Sequence, residues 1–137
     1  MKYFTIQELT ASATAKRKGI DNTPDAKATA ALQALVSNVL DPLREAWGKP
    51  IVVTSGYRSA KLNRAVGGAA KSQHCNGEAA DIRTLSDRRW ENRQLFDTIL
   101  RLGLPFDQLI DEYDYDWVHV SYRHNANRRQ VLHVRKK

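Results

Sequence analysis

The most regular hydrophobic pattern lies between residues 28 and 47. Apolar side chains recur there at steps of three and four residues: Ala28, Ala31, Leu32, Leu35, Val36, Val39, Leu43 and Trp47. This spacing predicts a long amphipathic helix whose apolar stripe packs in a core. Thr23 and Pro24 suit its start, as N-cap and first helical residue. Pro42 predicts a kink or break near its C-terminal end, because proline cannot donate the helical hydrogen bond.

Other helices are predicted from local signals at their ends. Thr5 and Glu8 form a capping-box pattern that opens a short helix. Residues 59–66 predict a second helix that is capped by a serine. Residues 86–87 are predicted to cap a third, whose apolar stripe is Trp90, Leu95, Ile99 and Leu102. The small and basic residues 11–19 predict a loop or a frayed turn instead.

Short runs of β-branched and aromatic residues predict the strands. They are residues 51–54, 79–82, 106–113, 117–122 and 129–134. Asp114-Tyr115-Asp116 is predicted to join the third and fourth runs as a hairpin. Strands of this kind among helices predict an α+β fold, a single domain over residues 1–137 in which helices pack on a small, mostly antiparallel sheet.

Composition and charge narrow the classes of partner. The chain has 137 residues, enough for one domain with a proper core, and 22 Lys and Arg against 15 Asp and Glu give a net charge of +7. A surface with this excess of positive charge suits binding to nucleic acid, anionic lipid or an anionic cell-wall polymer. One cysteine excludes an internal disulfide. We find neither a signal-peptide pattern nor a run of membrane-spanning length, so we expect synthesis in the cytoplasm and no membrane insertion.

Three polar residues lie in apolar strands or beside a tight turn, and a metal site would explain their positions. Asp81 stands in a short apolar strand, where an unpaired carboxylate is costly to bury. His119 lies between two valines, and His74 precedes Asn76-Gly77, which favours a tight reversal of the chain. Each residue alone is more often structural, but the three together favour a metal. We predict a mononuclear zinc site with His74, Asp81 and His119 as ligands and a fourth position open, as in catalytic sites.

These residues also carry a family resemblance. Ser72-x-His74-x-x-Gly77-x-Ala79-x-Asp81, followed by Trp117-x-His119, resembles the signature of the zinc D-alanyl-D-alanine carboxypeptidases and L-alanyl-D-glutamate endopeptidases. That family includes phage endolysins and shares its fold with the Hedgehog signalling domain. Further matching segments are Phe4-Thr5-x-x-Glu8-Leu9, Ser55-Gly56-Tyr57-Arg58-Ser59, Asn63-x-x-Val66-Gly67-Gly68, Phe106-Asp107-Gln108-Leu109-Ile110 and Val120-Ser121-Tyr122. Together the segments cover nearly the whole chain.

The resemblance implies zinc as cofactor and assigns substrate contacts beside it. Arg58 follows a predicted buried strand, and in the family an arginine in this context contacts the substrate beside the zinc. By spacing alone, a surface ion pair fits Arg58 equally well, although guanidinium is well suited to clamp a carboxylate. Ser72 is expected to hydrogen-bond substrate, as it does in the family, and Gln73 could do the same.

The acid/base that moves protons during hydrolysis has two candidates. The family uses a glutamate three residues before its last histidine, and the corresponding residue here is Asp116, a shorter carboxylate. On a regular strand Asp116 and His119 would face opposite sides, so this role requires a bulge or turn between them. Glu112 is the alternative. We prefer Asp116, and an acidic cluster that only balances a basic protein remains the simpler interpretation of both.

Other residues of similar chemistry are not counted as ligands. Cys75 is adjacent to His74, and neighbouring residues seldom reach one ion together; a thiolate would also close the site. His124 and His133 flank the last predicted strand. The chain carries neither a nucleophilic-serine motif nor a complete phosphate-binding glycine loop, which excludes serine hydrolases and nucleotide-binding proteins of those types.

The implied function is hydrolysis of peptidoglycan stem peptides, as a D-Ala-D-Ala carboxypeptidase or an L-Ala-D-Glu endopeptidase. The resemblance favours a phage or prophage lysis enzyme that acts at the cell wall after release, with the stem peptide and an anionic wall polymer as partners. One alternative is a non-catalytic, zinc-stabilised module that binds the cell wall or a protein. The other is a small basic nucleic-acid-binding protein, which would leave the three polar residues unexplained.

Overall fold

The computed structural model describes residues 1–135, in which α-helices pack on one five-stranded sheet. The helices are α1 (Ile6–Thr10), α2 (Ala13–Lys18), α3 (Ala26–Leu35), α4 (Asp41–Trp47), α5 (Ala60–Ala65) and α6 (Arg89–Leu102). A π-helical segment (Val36–Leu40) joins α3 to α4, and a 3-10 turn (Gln73–Asn76) precedes the second strand. The strands are β1 (Ile51–Ser55), β2 (Ala79–Thr84), β3 (Gln108–Glu112), β4 (Trp117–Ser121) and β5 (Gln130–Val134).

The sheet has the strand order β1-β2-β4-β3-β5. The first four strands pair antiparallel, and β5 runs parallel to β3 at the edge. The predicted α+β class with a mostly antiparallel sheet is confirmed. Within residues 1–135, no helix is both long enough and apolar enough to cross a membrane.

Alternation along the strands gives the sheet two different faces. One face presents buried apolar side chains to the helices: Ala80, Ile82, Leu109, Val118 and Val120. Asp81 lies directly opposite His119, which in turn lies opposite Ile110, so these three share the other face. Glu112 is two residues from Ile110 and therefore lies on that same face. Asp81, His119 and Glu112 thus lie on the face that the main core does not occupy.

The long helix forms, with a different interruption from the predicted one. Apolar side chains of α3, the π-helical segment and α4 are buried, which confirms the predicted stripe. The π-helical segment precedes Pro42, which lies in the first turn of α4, where its missing N–H is tolerated. Asp25 rather than Thr23 caps α3, because its carboxylate accepts from the Ala28 N–H at 2.7 Å.

Helix ends elsewhere are partly as predicted. The capping box is confirmed: the Glu8 N–H donates to Thr5 Oγ1 at 3.1 Å and the Thr5 N–H donates to Glu8 Oε1 at 3.4 Å. The prediction of a loop or a frayed turn over residues 11–19 is wrong, since α2 forms there between a Ser12 N-cap and Gly19 in the left-handed conformation. The cap predicted at residues 86–87 is also wrong, because Arg88 occupies the N-cap position of α6 without a side-chain bond.

Candidate metal centre

Three different elements carry the predicted ligands. His74 lies in the 3-10 turn, Asp81 in β2 and His119 in β4. Gly77 ends the 3-10 turn at φ 73°, and a Cβ at this position would overlap with the Ala28 carbonyl of α3. Glycine is therefore required there, and it lets the chain turn from His74 directly into β2. The local sequence and the packing of α3 together determine where His74 enters the site.

The three side chains converge on one point. His119 Nδ1 lies 2.9 Å and His74 Nε2 lies 3.4 Å from the same Asp81 oxygen, Oδ1. The three potential ligand atoms all lie within 4.8 Å of one another. Tetrahedral zinc with bonds of about 2.1 Å places its ligand atoms roughly 3.4 Å apart, and it prefers nitrogen and oxygen donors of this kind. The group therefore fits zinc in both donor chemistry and spacing.

A backbone carbonyl orients His74. His74 Nδ1 lies 2.7 Å from the carbonyl oxygen of Gly56, which can only accept, so Nδ1 carries a proton and Nε2 is the nitrogen that faces Asp81. Gly56 itself is buried against α1, where a Cβ would overlap with the Leu9 carbonyl. Such an outer partner fixes the tautomer of a ligating histidine. No pattern of side chains in the sequence points to it.

The electrostatics of Asp81 favour its ionised form. Burial opposes the charge, but hydrogen bonds from His119 and His74, with the attraction of both rings, outweigh burial and hold the pKa of Asp81 far below its ordinary value. The side chain of Asp81 is only 13% exposed. A carboxylate kept charged in such a place is ready to bind a cation without first losing a proton.

Two of the three residues with predicted substrate contacts, Arg58 and Ser72, lie next to this group. The Arg58 N–H donates to the His74 carbonyl at 3.1 Å, and Arg58 Nη2 donates to Ser72 Oγ at 3.5 Å. Within residues 1–135, Arg58 has no carboxylate partner and its buried Nε has no hydrogen-bond partner. The surface ion pair is therefore not what the described residues form.

Gln73 has a partner that the sequence did not suggest. Its Nε2 donates to Asp107 Oδ2 at 3.0 Å, while its buried Oε1 is unpaired in the described part of the chain. Asp107 is fully buried and also accepts three hydrogen bonds from Arg128, through the backbone N–H, Nε and Nη2, at 2.8–3.0 Å. These bonds hold the pKa of Asp107 at about 2, with the Arg128 side chain as the main cause. Asp107 thereby ties the turn that carries His74 to the segment after β4.

The two candidate acid/base residues lie in different places. Tyr113, Asp114 and Tyr115 all have positive φ, so β3 and β4 are joined by a tight turn that includes Asp116. The Asp116 side chain is 47% exposed and lies 3.8 Å from Arg89 of α6. Its backbone carbonyl accepts from Asn92 of the same helix. This turn does not bring the Asp116 carboxylate to the predicted ligands; it directs it to α6.

Glu112 lies on the face of the sheet that carries Asp81 and His119. It is half-buried opposite Trp117, two residues from the position that pairs with His119. Burial raises the pKa of Glu112; the charge of Asp81 acts in the same direction, and that of His119 opposes it. Of the two candidates, Glu112 is the one that the fold presents to the predicted metal site.

The residues that were not counted as ligands lie outside the group. His133 Nδ1 is 2.8 Å from Asp111 Oδ2, on the core face of the sheet. Cys75 and His124 both line a cavity between the 3-10 turn and α3. Among residues 1–135, the three predicted ligands form the group that could hold a metal ion.

A cleft opens beside the group, with a volume of about 490 Å³. His119 and Ile110 of the sheet form part of its wall, and Ser72 and Gln73 line it from the turn. The remaining lining residues are mostly polar or charged: Ala69, Lys71, Asn76, Glu78, Gln108, Arg123 and Arg128. A cleft of this size next to a candidate metal centre can accept a small peptide.

Two comparisons with known proteins bear on this site. A sequence model of the family described as Peptidase M15 matches residues 2–121, which include every predicted ligand. The zinc D-Ala-D-Ala carboxypeptidase of Streptomyces albus G is 49% identical to the chain over 57 residues. That alignment covers 40% of the chain and 22% of the relative, so the chain spans only about a fifth of the relative's length.

Proposed function

Because the chain belongs to the Peptidase M15 family, we propose that it is a zinc peptidase that hydrolyses peptidoglycan stem peptides next to a D-amino acid. One observation carries the proposal: two histidines and an ionised aspartate meet within 4.8 Å, on the face of the sheet that also presents Glu112. The similarity to a zinc D-Ala-D-Ala carboxypeptidase supports the choice of metal and substrate. Either carboxypeptidase or endopeptidase cleavage fits this arrangement.

In this proposal His74, Asp81 and His119 hold the zinc ion. When bound, the ion supplies Lewis acidity, which makes water a nucleophile near neutral pH and polarises a carbonyl. Gly56 keeps the His74 ring in the tautomer that leaves Nε2 available.

Glu112 is proposed as the acid/base in place of Asp116. It takes the proton of the attacking water and returns it to the leaving amine, which requires a carboxylate on the substrate side of the sheet. Glu112 meets that requirement, and burial moves its pKa upwards, towards the pH at which it can both accept and donate. Asp116 is about half-exposed in a turn and lies 3.8 Å from Arg89 of α6, which favours a role in the turn.

Arg58 and Ser72 are proposed to hold the substrate in place. The backbone N–H of Arg58 donates to the His74 carbonyl, and its guanidinium lies next to the Ser72 hydroxyl, which itself accepts from the His74 N–H at 3.1 Å. A carboxylate or carbonyl of the peptide would receive charge-assisted hydrogen bonds from Arg58 at the edge of the site.

The setting we propose is cell-wall lysis, as in a phage or prophage enzyme. A net charge of +7 attracts the protein to anionic wall polymers, which raises its concentration near the stem peptides. The stem peptide is the specific partner in this setting, and the wall polymer contributes only long-range attraction.

The decisive experiment compares two matched carboxylate-to-amide variants on purified stem peptides, with products identified by mass spectrometry. The wild type should cut next to a D-residue, and a zinc chelator should abolish the cut. Glu112→Gln should lose at least about 100-fold in kcat while it retains one zinc per chain, since acid/base catalysis contributes about 10²–10⁴. Asp116→Asn should stay within about threefold of wild type.

Other outcomes would lead to other conclusions. If Asp116→Asn were inactive and Glu112→Gln active, the acid/base assignment would be wrong although the peptidase stands. Retained zinc without any cut would point to a zinc-stabilised binding module. DNA binding that survives chelation and falls steeply with salt would instead indicate the nucleic-acid binder.

A further inference from the structure

The cleft beside His119 is lined by three cationic side chains, Lys71, Arg123 and Arg128, and by one carboxylate, Glu78. We propose that these three cations form a subsite for a carboxylate of the peptide substrate that lies away from the bond being cut. The inference rests on the proposed function and adds to it a preference for acidic peptides. Arg123 and Arg128 lie beyond residues 2–121, which match the family.

Arg128 is held as a fixed part of the cleft wall. Its Nε and Nη2 donate to the buried carboxylate of Asp107, and its backbone N–H donates to the same group at 3.0 Å. Half of the Arg128 side chain remains exposed, although Asp107 is fully buried. Because Nε and one N–H of Nη2 are bonded to Asp107, Nη1 and the second N–H of Nη2 can still meet a ligand in the cleft. Little side-chain entropy would be lost when a carboxylate binds there.

Lys71 and Arg123 supply charge that the described residues do not neutralise. Both are exposed, and neither forms an ion pair within residues 1–135. The segment that carries Arg123 is closed by Asn127, whose Oδ1 accepts from the Arg123 N–H at 2.7 Å and whose Nδ2 donates to the Arg123 carbonyl at 2.9 Å. Even with Glu78 counted, the lining of the cleft is net positive, which favours an anionic ligand.

Gln73 adds an acceptor to the same cleft. Its Oε1 is buried and unpaired among the described residues, while its Nε2 is held by Asp107. A buried acceptor without a partner costs free energy that a ligand N–H would recover. A peptide offers both groups, a backbone N–H and a carboxylate, whereas a free inorganic anion offers only negative charge. This combination points to a peptide acid as the occupant.

Stem peptides allow a direct test, because the isoglutamyl residue carries an α-carboxylate that can be amidated without other change. The two synthetic peptides, free and amidated, are compared as substrates of the wild type and of Lys71→Gln/Arg123→Gln. The wild type should prefer the free carboxylate by about tenfold in kcat/KM, mostly through KM, and the double variant, which keeps only Arg128, should lose most of that preference while cutting the amide within about twofold of wild type. The matched control, Lys18→Gln/Arg101→Gln, removes the same charges at exposed positions outside the cleft and should keep the preference.

Several results would overturn the subsite. Equal cleavage of both peptides by the wild type would do so, while the peptidase proposal would stand. An equal loss on both peptides in the double variant and in the control would show that only long-range attraction acts. If neither peptide were cut, the peptidase proposal would fail. Titration calorimetry with the same two peptides would then test the subsite separately, since equal affinities for the two peptides would overturn it as well.

Discussion

Replacing Asp107 with asparagine tests whether a buried carboxylate ties the metal-binding turn to the rest of the fold. The variant keeps the shape of the side chain and removes its charge. The asparagine would leave the Arg128 guanidinium without its anion and place an amide where Gln73 and the Arg128 N–H donate. We therefore expect a loss of stability rather than a change of fold.

The magnitude follows from the pKa of Asp107. Its hydrogen bonds lower the pKa from the ordinary 3.8 to about 2, and a tenfold change in proton affinity corresponds to about 1.4 kcal/mol. The charged form therefore stabilises the fold by about 2 kcal/mol at neutral pH. For a domain of this size, that is a fall in Tm of roughly 6–10 °C.

The lowered pKa of Asp107 determines the sign of the pH dependence. The folded state binds the Asp107 proton more weakly than the unfolded state does, so its stabilisation is complete well above pH 3.8 and is lost as the pH falls towards about 2. The difference in the free energy of unfolding between wild type and Asp107→Asn should hence be constant from pH 8 to about 5 and shrink below about pH 4.

Urea unfolding followed by tryptophan fluorescence at several pH values measures this difference, because the chain contains three tryptophans. Asp97→Asn on the exposed surface of α6 is the matched control and should cost less than about 0.5 kcal/mol. The reasoning is refuted if Asp107→Asn is as stable as the control at pH 7, or if its deficit persists undiminished at pH 3.

Two further predictions concern the metal site and its turn. Zinc at 100 times its Kd should stabilise the wild type by about 2.7 kcal/mol in thermal unfolding, and Asp81→Asn should abolish most of this gain; an equal response of both proteins would argue against Asp81 as a ligand. Gly77→Ala should cost at least about 1 kcal/mol more than Gly19→Ala in urea unfolding, because both glycines have positive φ but only at Gly77 would the new Cβ overlap with the Ala28 carbonyl. Equal losses of unfolding free energy in the two variants would contradict the close approach of α3 to Gly77.

Much of the fold could be predicted because its signals are local. The Thr5–Glu8 capping box and the stripe from Ala28 to Trp47 depend on residues a few positions apart, and both form as expected. Prediction from the sequence was least accurate at the ends of helices. The chain contains several serines, threonines and aspartates that can cap a helix, and packing selects Asp25 over Thr23. The helix over Ala13–Lys18 was missed because its small and basic residues show no clear apolar face.

The sequence by itself determined the candidate metal ligands, since histidine and aspartate in apolar strands are costly unless something pairs them, and a glycine turn brings the first two together. Tertiary structure alone decided the rest of the site. Positive φ at three consecutive residues carries Asp116 to α6 and leaves Glu112 on the face of His119. The pairing of Asp107 with Arg128 spans 21 residues and arises because β5 lies parallel to β3. Contacts of this kind depend on which strands pair and in which direction, and neither the spacing nor the chemistry of single residues specifies that.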